Sequence, residues 1–111
     1  IDRHLAGRAL ANLLSNAARH AGGATRVRVE PAGFVVEDAG PGVPPADLPR
    51  LFEPFFRADR SRARSSGGLG LGLLLVRQVA RLHGGDATAS LRPEGGLAMR
   101  VQLAPTGDKA A

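Results

Sequence analysis

Gly67-Gly68-Leu69-Gly70-Leu71-Gly72-Leu73 runs directly into Leu74 to His83, an apolar segment free of helix breakers. Glycines alternating with leucines let the backbone approach a ligand closely, and the helix that follows offers its first free N–H groups and partial positive charge to anionic oxygens. Such a corner suits a phosphate chain. Taken alone, the run also reads as a Gly-rich linker before an ordinary helix. Two other phosphate motifs are excluded. No Gly-Lys-Ser/Thr ending marks a P-loop, and the G-x-G-x-G spacing follows an Arg/Ser run rather than the strand a Rossmann site requires.

Working outward, 111 residues make one domain with a single two-layer core. A content of 43% hydrophobic and 23% charged residues is ordinary for a globular chain. The most apolar run, Leu69 to Ala80, is cut by Gly70, Gly72 and Arg77, which argues against a membrane span. No cysteine is present, excluding disulfides and thiolate metal sites. With neither an initiator Met nor a signal peptide at Ile1, the chain is expected to be a fragment of something longer. The net charge of +5 rests on fourteen arginines and a single lysine, Lys109. Arg57, Arg60, Arg62 and Arg64 cluster ahead of the glycine loop and the others are scattered. A nucleic-acid surface would add aromatics for stacking, whereas this chain has no Trp or Tyr and four Phe, so a phosphorylated ligand fits the charge better.

Residues 2 to 20 read as an amphipathic helix, capped by Asp2 and stopped by Gly22-Gly23. Leu10, Leu13, Leu14 and Ala17 fall on one arc, and Asn12, Asn16, Arg19 and His20 on the next. Asn is a poor helix former, so two at i and i+4 beside a buried face suggest a polar ligand at the edge of the core. Thr25 to Glu30 alternates as a half-buried strand with Thr25, Val27 and Val29 inward, and Phe34 to Glu37 is its hairpin partner. Asp38-Ala39-Gly40-Pro41-Gly42 follows. Its glycines keep the backbone thin beside a carboxylate that can face a flat group, although the composition would also make a plain turn. A short helix over Asp47 to Phe52 precedes Glu53-Pro54-Phe55-Phe56-Arg57, and Ala58 to Ser66 reads as a polar, Arg/Ser-rich lid. Gly84 ends the later helix. Asp86 to Leu91 and Leu97 to Leu103 form two further strands around a Pro93 to Gly96 turn, and the tail beyond Pro105 is expected to be disordered.

In this order the pieces resemble the catalytic ATP-binding domain of sensor histidine kinases, a branch of the superfamily that includes Hsp90, the type II topoisomerases and MutL. The resemblance runs from Ile1 to Pro105. Asn12-Leu13-Leu14-Ser15-Asn16-Ala17 is similar to the family's N box, Asp38 to Gly42 to its G1 box, Phe52 to Arg57 to its F box and Gly68 to Leu73 to its G2 box. It implies a two-layer α/β sandwich over residues 1–105, with helices on one face of a mixed sheet, the Bergerat ATP-binding fold, and a tail at 106–111. It also implies ATP and Mg²⁺ as cofactors, with Asn16 as the Mg²⁺ ligand and Asn12, Arg19 and His20 on the phosphate side. Asp38 would accept from the adenine amine while Gly40 and Gly42 let the ring pack. Backbone N–H groups over Gly68, Leu69, Gly70, Leu71 and Gly72 would meet the phosphates, and Arg57 and Arg62 would reach them from the lid.

Implied further are phosphoryl transfer to a histidine on a separate dimerisation domain, a response regulator as partner, and no nucleic acid. The parent is expected to be membrane-anchored and dimeric, with this fragment soluble and cytoplasmic. Arg19 and His20 stand where the family more often has Lys and Tyr, and Leu97 and Ala98 where many members have Thr, so a polar contact near the adenine is missing. Asn12 replaces the Glu that serves the superfamily's ATPases as general base. An amide cannot take the proton, which favours transfer over hydrolysis. His4, His20 and His83 lack the following acidic residue of an acceptor histidine. The alternatives are an anti-sigma-type Ser/Thr kinase of the same superfamily and a basic nucleic-acid-binding module.

Overall fold

The computed structural model describes residues 2–54, 56 and 71–104. Helix α1 (Arg3–Ala21) starts at Asp2, whose carboxylate accepts the Leu5 N–H at 3.1 Å, and ends at Gly22 in the left-handed region with φ 77°. Its buried stripe is Ala9, Leu13 and Ala17, three positions at four-residue spacing. Leu14, expected on that stripe, sits at its border and is 38% exposed. The small Ala9 and Ala17 let α1 lie close to its neighbours, while Leu13 fills the core. Truncating Leu13 would cost about 2–5 kcal/mol.

Strands β1 (Ala24–Glu30) and β2 (Gly33–Asp38) form the first hairpin, and β3 (Asp86–Leu91) and β4 (Leu97–Gln102) the second. The two join through β2 and β4, giving the order β1-β2-β4-β3. All three pairings are antiparallel. The expected α/β sandwich is present, but among the described residues its sheet is antiparallel throughout rather than mixed, because every strand meets either its hairpin partner or the oppositely running strand of the other hairpin. The short helix expected at Asp47 to Phe52 is a 3₁₀ helix that runs instead over Pro45–Arg50, with prolines at its start and interior. Helix α2 (Gly72–Leu82) then packs beside α1.

Residues aligned across the register share a face. Phe34 and Val36 on β2 oppose Val101 and Met99 on β4, which in turn oppose Ala87 and Ala89 on β3. Together with Leu13, Phe52, Val76, Val79 and Ala80 they build the core between sheet and helices. Val27 and Val29 belong to this face but lie on the edge strand beyond the helix layer. Val29 is 87% exposed, so β1 is not the half-buried strand its alternation suggests. The opposite face is covered by ion pairs. Val35, 1% exposed, lies between Arg28 and Arg100 in the register, and those arginines pair with Glu37 and Glu30. Their aliphatic stems shield the valine while the charges stay near solvent.

Candidate nucleotide-binding site

The three pieces of the site that the structure describes converge at the C-terminal half of α1. Asn12 donates through Nδ2 to the Gly72 carbonyl at 3.4 Å, joining the asparagine strip to the start of α2. At the other end of that strip, a Cβ added to Gly40 would lie 2.5 Å from the Ala21 Cβ, so the corner after β2 presses against the last turn of α1. Nine residues of helix separate these points, about 13 Å of rise. Asn16 lies between them, half-buried, with Arg19 and His20 exposed beyond it. Arg19 donates to the Ser15 hydroxyl at 3.1 Å.

Asp38 is the one buried polar or charged residue among those described, at 6% exposure. Its Oδ1 accepts from the backbone N–H of Gly40 at 2.9 Å and of Leu97 at 3.2 Å. Two backbone donors on one oxygen fix the carboxylate's orientation and leave Oδ2 with no donor among the described residues. Oδ2 is not among the buried side-chain atoms that lack a partner, so it is open enough to accept a donor from outside the protein. Gly42, φ 71°, carries the chain out of the corner beside Leu91.

Helix α2 differs from α1 at its start. Leu71, at the capping position, supplies no side-chain acceptor, so the first-turn N–H groups lack the partner that Asp2 gives α1. Among the described residues, nothing lies within 4 Å of where a Cβ on Gly72 would stand. Open space before uncapped amides is suited to an anion. Arg57, Arg62, Gly68, Leu69 and Gly70, together with the lid expected at Ala58 to Ser66 and the tail expected from 106 onward, lie outside the described residues. The structure thus brings Asn12, Asn16, Asp38, Gly40, Leu71 and Gly72 to one side of the molecule, between the helix ends and the β2 corner.

The residues missed by sequence reasoning belong to the β3–β4 turn. Leu97 contributes its amide, and Gly96, φ 92°, must be glycine because a Cβ would overlap the Asp38 carbonyl. Arg92, read as one of the scattered arginines, donates to that same carbonyl at 2.6 Å. Backbone contacts leave no trace in residue type, and only the glycine pair at 95 and 96 hinted at a close approach.

Residues 1–107 match the family described as Histidine kinase-, DNA gyrase B-, and HSP90-like ATPase. The chain belongs to this ATPase family. Among curated members it is 44% identical over 98 residues to the signal transduction histidine-protein kinase AfsQ2 of Streptomyces coelicolor, covering 85% of the chain and 18% of that protein. With the sensor protein RstB of Escherichia coli it shares 40% over 100 residues, covering 86% of the chain and 23% of RstB. The chain therefore spans less than a quarter of the length of either relative. Among solved structures, the mycobacterial sensor histidine kinase MprB matches with a TM-score of 0.65 and 34% identity, over 85% of this chain and 66% of that one. The ATP-binding domain of PrrB from Mycobacterium tuberculosis matches with a TM-score of 0.60 and 32% identity, over 89% and 65%. Family membership accounts for the sandwich and for the order of the motifs along it.

Proposed function

We propose that this chain is the catalytic ATP-binding domain of a sensor histidine kinase, holding Mg-ATP and presenting its γ-phosphate to a histidine on a separate dimerisation domain in two-component signalling. The observation that carries this is Asp38: a buried carboxylate with one oxygen tied to two backbone amides and the other turned to no protein donor. The exocyclic amine of adenine is a donor of the right kind. Asn12, Arg19 and His20 lie on the phosphate side, and the uncapped start of α2, continuing the backbone of Gly68, Leu69, Gly70 and Leu71, receives the phosphates. Arg57 and Arg62 complete the charge from the lid. Because Asn12 cannot act as a base, the set positions and neutralises without activating water.

Magnesium fits the same residues. Among those described there is no cluster of three or more His, Cys, Asp or Glu side chains to build an all-protein cage. One amide oxygen from Asn16, with phosphate oxygens and water, is the kind of set a small hard cation accepts. When bound, the ion would offset phosphate charge. A response regulator as the downstream partner and a membrane-anchored, dimeric parent with this domain in the cytoplasm belong to the same proposal; the relatives' names, a signal transduction histidine-protein kinase and a sensor protein, support the signalling role alone. No described helix is long and apolar enough to cross a membrane. The nucleic-acid alternative is disfavoured by Arg28, Arg92 and Arg100, which are committed to carboxylates. Calorimetric titration with a non-hydrolysable ATP analogue, with and without Mg²⁺, tests the reading. Binding strengthened by Mg²⁺ is expected, and no heat of binding in either condition would refute it.

A further inference from the structure

Arg92 is mostly buried, its side chain 15% exposed, and its guanidinium spans three strands' ends. Nη1 donates to the Asp38 carbonyl at 2.6 Å and reaches the Thr25 hydroxyl at 3.5 Å. Nε lies 3.4 Å from Glu37 Oε1, an ion-pair contact without hydrogen-bond geometry, and Nη2 lies 3.6 Å from Glu94 Oε2. The turn that carries Arg92 is itself closed by its N–H to the Gly96 carbonyl at 2.9 Å. One residue beyond that glycine, the Leu97 amide holds Asp38 Oδ1. A single hairpin turn thus grips Asp38 at both its backbone carbonyl and its carboxylate.

We propose that Arg92 is a positioning residue that sets base selectivity: by fixing the Asp38 peptide it keeps the free carboxylate oxygen aimed at the adenine amine. This rests on the ATP-binding reading given above. In this role Arg92 acts through Asp38, whose carbonyl it holds. Neither Leu97 nor Ala98 has a side chain that could hold the carboxylate, so the anchoring of Asp38 falls to backbone donors and to Arg92. Glu37, Glu94 and Thr25 orient the guanidinium, and a charged donor on a half-buried carbonyl resists peptide rotation more strongly than a neutral one. The competing role is a strut that holds the hairpin without affecting the site.

The test measures displacement of a fluorescent ATP analogue by ATP and by GTP, alongside melting temperature, in wild type, Arg92→Met and Arg92→Lys. Arg92→Met keeps the aliphatic stem and removes the donors. It should weaken ATP about tenfold, the worth of one hydrogen bond to a charged group. GTP should weaken less, so that the ATP preference falls, and Arg92→Lys should recover part of it through its charged ammonium. A lowered melting temperature with an unchanged ATP-to-GTP ratio would reduce Arg92 to a strut and overturn the proposal. Should Arg92→Met fail to fold, the ratio in Arg92→Lys decides in the same way. Wild-type protein that binds no ATP would overturn the functional reading itself, whereas wild-type binding with unaltered variants overturns only the role of Arg92.

Discussion

The imidazole of His83 accepts the backbone N–H of Asp2 at 3.0 Å, across 81 positions of chain. Since Nε2 is the acceptor, the proton sits on Nδ1 and is donated to the Val79 carbonyl at 2.8 Å. The end of α2 is thereby stitched to the beginning of α1. His83→Ala removes both bonds and should destabilise the domain by about 1–2 kcal/mol. Urea denaturation reads this directly, and an unchanged midpoint would mean that the helix ends are held by packing alone.

Asp2 makes the same junction sensitive to acid. The Leu5 N–H bonded to its carboxylate is the largest cause holding Asp2 below its ordinary value of 3.8. A carboxyl depressed in the folded state contributes stability that is fully present above the unfolded value and is lost as pH falls through the folded one. Melting temperature should therefore decline below about pH 4, and Asp2→Ala should flatten that part of the profile. Superimposable acid limbs for the two proteins would exclude the cap as the cause.

Asp38→Asn should fold normally, because its amide oxygen can still accept from Gly40 and Leu97. The amide nitrogen then replaces the free oxygen and meets the adenine amine donor to donor. A loss of about 1.5–3 kcal/mol in ATP affinity is expected from calorimetry, as for a hydrogen bond to a charged group. Wild-type affinity in a folded Asp38→Asn protein would remove Asp38 from the base site.

Gly40 and Gly72 should separate fold from ligand. Alanine at 40 would set its Cβ 2.5 Å from the Ala21 Cβ and 3.0 Å from its Cα, which should cost about 1–3 kcal/mol of stability. Among the described residues alanine at 72 meets nothing within 4 Å, and it should leave stability unchanged or raise it by about 0.5–1 kcal/mol. Triphosphate binding should nevertheless fall in Gly72→Ala, since the methyl enters the space before the amides. Equal triphosphate affinity for Gly72→Ala and wild type would place the phosphates elsewhere.

The fold was legible where local chemistry and long-range packing agree. Asp2 and Gly22 delimit α1 as expected, and the hairpin around Pro93 to Gly96 falls where the turn residues place it. Of the candidate site, Asn12, Asp38 and Gly40 were legible as residue types, and the structure brings them to one side of the molecule through a side-chain hydrogen bond, a buried carboxylate and a close backbone approach. Arg92 was not legible, since its partner is a carbonyl 54 positions away and a carbonyl has no sequence signature. The misreading of β1 has a related origin. Alternation reports which residues share a face, but whether a helix covers that face depends on the strand's place in the sheet.

That place has a consequence for the molecule in solution. Among the described residues β1 ends the sheet, its outer row of N–H and C=O groups facing no neighbouring strand, and Val27 and Val29 stand beside it at 43% and 87% exposure. An unpaired edge with apolar side chains is a template for pairing with another chain. Arg26 on the reverse face places a positive charge on that edge, whereas the charge of Arg28 is offset by Glu30 and Glu37. The repulsion between copies that carry a net charge of +5 is screened over roughly 10 Å at 0.1 M salt, so self-association through this edge should rise with ionic strength.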